Sequence, residues 1–303
     1  MSLKLTVLGC SSATPTLSRH SSAQVLNVHE RLFLIDCGEG AQIQMRKFGI
    51  KIQKIDKIFI SHLHGDHYLG LMGLLFTLHL LGRKNEIHLY ANIDLKKIID
   101  VQLDVANTKF NFSLIYHFLD NSISETIFED ENILVKTIPL DHRVPTSGFL
   151  FSEKPKARKL KKDVISKYDI PFDELAKIKM GADFTDKNGN IIKNNELTFD
   201  KLPSVSYAYC SDTGYTESYL HLIKNVTLLY HEATFMHDLV KNAREKFHCT
   251  SVDAANIAVK AGVKQLLLGH YSARYDDLNP LHNEAKQIFD NTLLAEEGMV
   301  YSI

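Results

Sequence analysis

A chain of 303 residues with 35 Lys+Arg against 36 Asp+Glu carries a formal net charge of -1, which excludes a protein that coats nucleic acid through uniform basicity. Apolar residues make up 45% and charged residues 23%, enough for a sizeable core and incompatible with collagen, coiled coil or disorder over the whole length. No run approaches the roughly 20 apolar residues that span a bilayer, and MSLKLTVLGCSS lacks the basic and then apolar regions of a secretory signal, so a cytoplasmic protein with no membrane partner is expected.

In chain order, LKLTVLG, AQVLNV and RLFLID read as strands, followed by a helix over residues 40–48 and the strand KIFI. Residues 68–81 are apolar at most positions and include Gly70 and Gly73, the pattern of a helix buried all round rather than an amphipathic one. IHLYA, FSLIYHF, ILVKTI and GFLF continue the strands to Phe151. Pro, Lys, Asn and Asp then crowd residues 154–202, which open with KPKARKLKK and contain the turn signal Asn188-Gly189. This segment reads as an inserted arm with little core of its own. The strands SYAYC, TLLYHEA and KQLLLGH resume the alternation, with a helix over residues 252–261. Strands that feed loops opening into helices predict an α/β sandwich, and the length suits a single domain, residues 1–303, that carries the arm.

Ser61-His62-Leu63-His64-Gly65-Asp66-His67 follows KIFI directly. In an extended loop His62 and His64 point the same way, while Asp66 and His67 turn with the entry to the next helix, so four N/O ligands within six residues can serve two adjacent metal ions. The plainer reading is a polar loop in which Asp66 caps a helix, but four metal-competent side chains packed this tightly seldom serve only as a cap. His142 after ILVKTIPLD, Asp212 after SYAYCS and His270 after KQLLLG stand where strands end, positions from which a rigid sheet can aim side chains. Together the set supplies five His and two Asp, enough for two zinc ions with one carboxylate bridging and one hydroxide between them. Zinc is favoured because the set is rich in imidazole and free of thiolate. Asp36, ending RLFLID, reads equally well as a turn former and as an outer partner that fixes a histidine tautomer. Cys10, Cys37, Cys210 and Cys249 form no CxxC pair and read as small buried residues of a reducing compartment.

With SHLHGDH, His142, Asp212 and His270 in place, the chain resembles the metallo-β-lactamase superfamily. The opening VLGCSSATPT, LIDCGEGAQIQM around Asp36, HEAT at residues 231–234, HCTSVDAA from His248 and HYSARY from His270 narrow the resemblance to the ribonuclease Z family of tRNA 3′-processing endonucleases. That resemblance implies a four-layer αββα sandwich, a homodimer and two Zn2+ per subunit. His62, His64 and His142 would hold one ion, Asp66, His67 and His270 the other, with Asp212 bridging. It implies an endoribonuclease that removes the 3′ trailer from precursor tRNA: a metal-bridging hydroxide attacks the phosphorus after the discriminator nucleotide, leaving a tRNA 3′-hydroxyl and a trailer 5′-phosphate. Asp66 would orient or deprotonate the attacking water. His231, Glu232 and His248 would supply and steady the leaving group's proton, since a carboxylate beside an imidazole favours its protonated form.

The arm lies where this family carries its flexible exosite, between His142 and Asp212. Its basic run, Lys154, Lys156, Arg158, Lys159, Lys161 and Lys162, can grip the phosphates of a folded RNA without reading its sequence. Without those six residues the remainder of the chain carries -7, so the overall neutrality averages an acidic body with a basic arm. The arm stretch DIPFDELAKIKMG lacks the Gly-Pro pair common at family arm tips. Two other readings use the same residues: a hydrolase of small phosphodiesters with the arm as a lid, and a metal-free RNA-binding scaffold. The scaffold is disfavoured because every expected ligand is present.

Overall fold

A computed structural model describes residues 3–201 and 203–303; Leu202, where the expected arm ends, and Met1 and Ser2 lie outside the described residues. Strands β1 (Leu3–Gly9), β2 (Ala23–Val28), β3 (Arg31–Cys37), β4 (Ile55–Phe59), β5 (Ile87–Ala91) and β6 (Leu114–Phe118) lie side by side in that order. Strands β7 (Thr126–Glu129), β8 (Ile133–Leu140) and β9 (Thr146–Glu153) follow, then the short pair β10 (Phe184–Thr185) and β11 (Ile191–Ile192). The last five are β12 (Ser206–Cys210), β13 (Leu228–Glu232), β14 (Gln265–Gly269), β15 (Thr292–Leu294) and β16 (Val300–Ser302). β16 joins the first sheet beside β1, and β15-β14-β13-β12-β9-β8-β7 form a second seven-stranded sheet.

Pairing is parallel from β3 to β6 and from β12 to β15. A parallel strand covered on both faces needs apolar side chains at nearly every position. Accordingly β3 buries every residue but Arg31, and β13 buries all five of its own. The two sheets meet through aromatic rings: Phe59 lies 5.5 Å from Phe149 and 5.3 Å from Phe151. On the far side of the first sheet, the helices Ala41–Lys47, Gly70–Leu80 and Asp94–Val105 pack Met45, Leu74, Leu78 and Ile99 into one cluster with Leu34, Ile58 and Leu89. The helix Ser251–Ala261 lies against β13 and β14. Helix, sheet, sheet and helix give the expected four-layer αββα sandwich.

The helix expected to be buried all round is buried on one side only. Leu71, Leu74, Leu75 and Leu78 are enclosed, whereas Leu69 and Leu80 are 57% and 80% exposed. A helix in an outer layer has a sheet on one side alone, and a uniformly apolar sequence does not reveal which side that is. The start of the helix Ser251–Ala261 is fixed more locally. Thr250 Oγ1 accepts from Asp253 N at 3.2 Å and the Asp253 carboxylate accepts from Thr250 N at 2.9 Å, a reciprocal cap that anchors the chain just after His248.

The chain divides into two compact units. One, of residues 3–129, 134–152 and 205–303, contains the bulk of both large sheets. The other comprises residues 130–133 and 153–204, Leu202 aside. Expected to have little core, this second unit buries Val164, Ile170, Ile178, Phe184, Ile192 and Leu197 together. Their irregular spacing hides them from any periodicity test, because three short helices and the β10–β11 hairpin, rather than one long element, bring them together. Asn194 ties two of the pieces by donating to Ile178 O and Ala182 O, both at 2.7 Å.

Candidate metal centre

After β4 ends at Phe59, residues 61–67 run through an extended loop into the one-turn helix Gly65–Tyr68. Three more strand ends converge on this point: His142 two residues past β8, Asp212 two past β12 and His270 one past β14. Asp212 and His270 take left-handed backbone, at φ +36° and +58°, as does Asp36 in β3 at +54°. Each bend turns the side chain off the line of its strand, at a cost to a non-glycine residue of about 1–3 kcal/mol.

The side chains meet in two groups. His62 Nε2 lies 3.1 Å from His64 Nδ1, which is 3.3 Å from His142 Nε2. In the other group His67 Nε2 and His270 Nε2 are 3.3 Å apart, with Asp66 Oδ2 at 3.5 and 3.4 Å from them. Asp212 stands between. Its Oδ1 is 3.1 Å from His67 and 3.0 Å from His270, while its Oδ2 is 3.5 Å from His62 and 3.8 Å from His142.

The outward nitrogens of these rings are engaged. His67 Nδ1 donates to Asp36 Oδ2 at 2.7 Å, His142 Nδ1 to Phe247 O at 3.0 Å and His270 Nδ1 to Thr234 Oγ1 at 2.9 Å. His62 Nδ1 lies 3.0 Å from Ser61 Oγ, which itself donates to Asp36. With Nδ1 carrying the proton, each of these four rings aims the lone pair of Nε2 inward. Inward-facing nitrogens 3.1–3.3 Å apart, flanked by carboxylate oxygens, are a donor set that fits divalent metal ions. Asp36, left open between two roles by the sequence, fills both: it bends the chain and accepts from His67, Ser61 N, Ser61 Oγ and Tyr209 OH. Asp66 is steadied in turn by Ala13 N, which donates to its Oδ2 at 2.7 Å.

Electrostatics point the same way. Burial, followed by the His67 charge, keeps His62 below its ordinary pKa; burial holds His64 down as well and lowers His142 to about 4. Burial also opposes charge on His270, but Asp212 and Asp66 outweigh it and raise the ring to about 10. His67 is raised in the same manner by Asp212, Asp66 and Asp36. Asp66 and Asp212 are held far below the carboxylate range, since neighbouring imidazoles overcome the burial penalty. The pocket therefore keeps ionised carboxylates in a nearly dry site, a field that attracts cations.

Beside the centre, His248 Nδ1 lies 2.8 Å from Glu232 Oε1, and Glu232 also accepts from Thr213 N at 2.7 Å and Thr234 Oγ1 at 2.6 Å. Burial works against a charged His248, yet Glu232 outweighs it and raises the ring's pKa. His231, expected among the proton-handling residues, is not brought to His248 with Glu232. Adjacent residues of a strand face opposite sides. Glu232 faces His248, while His231 is fully buried, with Nε2 2.8 Å from Tyr219 OH and Nδ1 bonded to the carbonyl of Glu232. Burial lowers its pKa, and both of its ring nitrogens are engaged within the fold.

The six basic residues expected to grip RNA all lie in the second unit. Lys156 pairs with Glu153 at 2.7 Å, Arg158 with Thr198 at 2.7 Å and Asp200 at 2.8 Å, and Lys161 donates to Asn195 O at 2.8 Å. Lys154 is half-buried, and Lys159 and Lys162 are exposed. The unit as a whole has twelve Lys and Arg against eleven Asp and Glu, so its charge is concentrated in one run rather than general. Sequence reasoning passed over Thr234, which stands in HEAT and links Glu232 to His270, and Arg143, the neighbour of His142. Arg143 lines a cavity of about 360 Å³ over the centre, together with Glu39, Asp66, Asp212 and His248.

Residues 3–156 match the family model described as Anti-Pycsar protein Apyc1. Over 297 residues the chain is 46% identical to a protein named Ribonuclease Z from Phocaeicola vulgatus, covering 98% of this chain and 96% of the relative. A Ribonuclease Z from Cytophaga hutchinsonii is 45% identical over 304 residues, 100% of this chain and 97% of that one. Among solved structures, the short form of human tRNase Z aligns over 99% of both chains at 29% identity with a TM-score of 0.72. The metallo-beta-lactamase fold protein YhfI of Bacillus subtilis shares the fold at 20% identity, with a TM-score of 0.68 over 99% of this chain and 98% of its own.

Proposed function

The chain belongs to the ribonuclease Z family, whose members it matches from end to end, and on that premise we propose that it is a cytoplasmic, homodimeric endoribonuclease that removes the 3′ trailer from precursor tRNA with two Zn2+ per subunit. His62, His64 and His142 would hold one ion and Asp66, His67 and His270 the other, with Asp212 shared between them. When bound, the ions supply Lewis acidity at the phosphoryl oxygens and bring the pKa of a coordinated water from about 15.7 toward 7. Asp66, steadied by Ala13 N, would orient or deprotonate the attacking water. A bond forms between the water oxygen and phosphorus while the bond from phosphorus to the 3′ oxygen of the discriminator nucleotide breaks. His248, held by Glu232, delivers a proton to that departing oxygen. The tRNA then ends in a 3′-hydroxyl and the trailer begins with a 5′-phosphate.

Support for this reading rests above all on Asp212, a single buried carboxylate whose two oxygens face two separate ligand groups. Incubating the zinc-loaded protein with a precursor tRNA, mapping the cut and identifying both end groups tests it. One cut after the discriminator, with the ends just named, is expected. A protein that leaves the precursor whole while hydrolysing small phosphodiesters belongs to the other reading.

In this scheme the second unit is the tRNA-gripping exosite, and Lys159 and Lys162 are the exposed cations of its basic run. Replacing both with alanine is expected to weaken precursor binding about tenfold and to reduce the slope of log K against log[salt] by about 2, one for each phosphate contact. Hydrolysis of a small phosphodiester should persist. An unchanged salt slope counts against a phosphate grip at this run.

A further inference from the structure

We propose that Arg143 binds the RNA phosphate adjoining the one that is cut and thereby sets how the strand lies across the centre, an inference that rests on the function proposed above. A strand entering the cavity of about 360 Å³ brings more than one phosphate to its walls. The scissile group belongs at the ligand groups, so its neighbour meets the rest of the lining. There the acidic groups are Glu39, Asp66 and Asp212, and Arg143 is the one Lys or Arg among the lining residues. Apart from His248 and the histidines of the ligand groups, Arg143 is therefore the one basic side chain in the lining that a second phosphate can meet.

Three other arginines of this unit are spent on the fold. Arg244 forms a bidentate pair with Asp253 at 2.7 and 2.8 Å, Arg83 donates to three backbone carbonyls, and Arg19 reaches Tyr275 O. Arg143 is exposed and has no hydrogen bond or ion pair among the described residues. Its starting point is nevertheless fixed, because the preceding residue, His142, is anchored through Nδ1 to Phe247 O. A guanidinium fork can take two oxygens of one phosphate, which an ammonium cannot reproduce in geometry.

The test combines Arg143→Ala and Arg143→Lys with three precursors: unmodified, and bearing a neutral methylphosphonate at one or the other phosphate adjoining the cut. On the unmodified precursor, Arg143→Ala is expected to raise KM about tenfold with kcat changed less than about threefold, and to lower the salt slope of log KM by about 1. Arg143→Lys should recover part of the loss. With one of the two modified precursors the Arg143→Ala penalty should vanish, because the charge it served is gone. A penalty that persists undiminished with both modified precursors, or a fall in kcat at constant KM, overturns the assignment. If the wild-type protein cuts the unmodified precursor and Arg143→Ala cuts it equally well, the assignment alone falls. If the wild-type protein leaves that precursor whole, the proposed function falls and takes the assignment with it.

Discussion

Alanine at position 212 is expected to abolish metal binding and RNA cleavage together. Asp212 offers Oδ1 to His67 and His270 at 3.1 and 3.0 Å and Oδ2 to His62 and His142 at 3.5 and 3.8 Å, so its loss takes a ligand from both groups at once. Removing an outer partner of a metal ligand lowers affinity about 10–100-fold; removing a shared inner ligand should exceed the upper figure at each site. Cleavage then falls in step with metal content. Asp212→Asn separates the two sites, because its amide keeps one coordinating oxygen while the amino group donates hydrogen and cannot coordinate. About one ion per subunit is expected to survive that change. Metal analysis after dialysis reads both results, and an Asp212→Ala protein that retains two ions per subunit would refute the shared carboxylate.

His248→Ala should behave in the opposite way, keeping its metal and losing about 10²–10⁴-fold in kcat, the usual worth of a positioned proton donor. Nδ1 of this ring is committed to Glu232 at 2.8 Å, and the ring lines the cavity over the ligand groups. Glu232 raises the ring's pKa against the effect of burial, which increases the share of the protonated form. The size of the defect should depend on the leaving group. A sugar 3′ oxygen departs poorly without a proton, whereas p-nitrophenolate departs unaided near neutral pH. For a p-nitrophenyl phosphodiester the loss is expected to shrink to about tenfold or less. An equal loss on both substrates assigns His248 to binding or folding instead of proton delivery.

Most of the centre was legible in the sequence because its donors obey local rules. Residues 62–67 sit in one loop straight after a strand, and His142, Asp212 and His270 each stand one or two residues past a strand end. What remained hidden depends on neighbours distant in sequence. His231 and Glu232 are adjacent letters, and only the strand pleat sends one to Tyr219 and the other to His248. Lys156, Arg158 and Lys161 of the basic run are bonded within their own unit, and Arg158 finds Asp200 across 42 positions. A count of positive charges cannot distinguish those from Lys159 and Lys162. The leucines of the helix Gly70–Leu80 were ambiguous for the same reason, since an apolar run does not say which side meets a sheet.

The left-handed backbone at Asp36, Asp212 and His270 sets stability and activity against each other at three positions. Glycine adopts such a conformation at no steric cost, so on steric grounds alone each site favours a residue with no side chain at all. Yet each is where the chain supplies a group that binds or steadies the centre. At Asp36 that steric preference is opposed by the four buried donors its carboxylate satisfies, which glycine would leave unpaired. The backbone angles thus mark three places where the fold carries local strain for the sake of the side chain presented there.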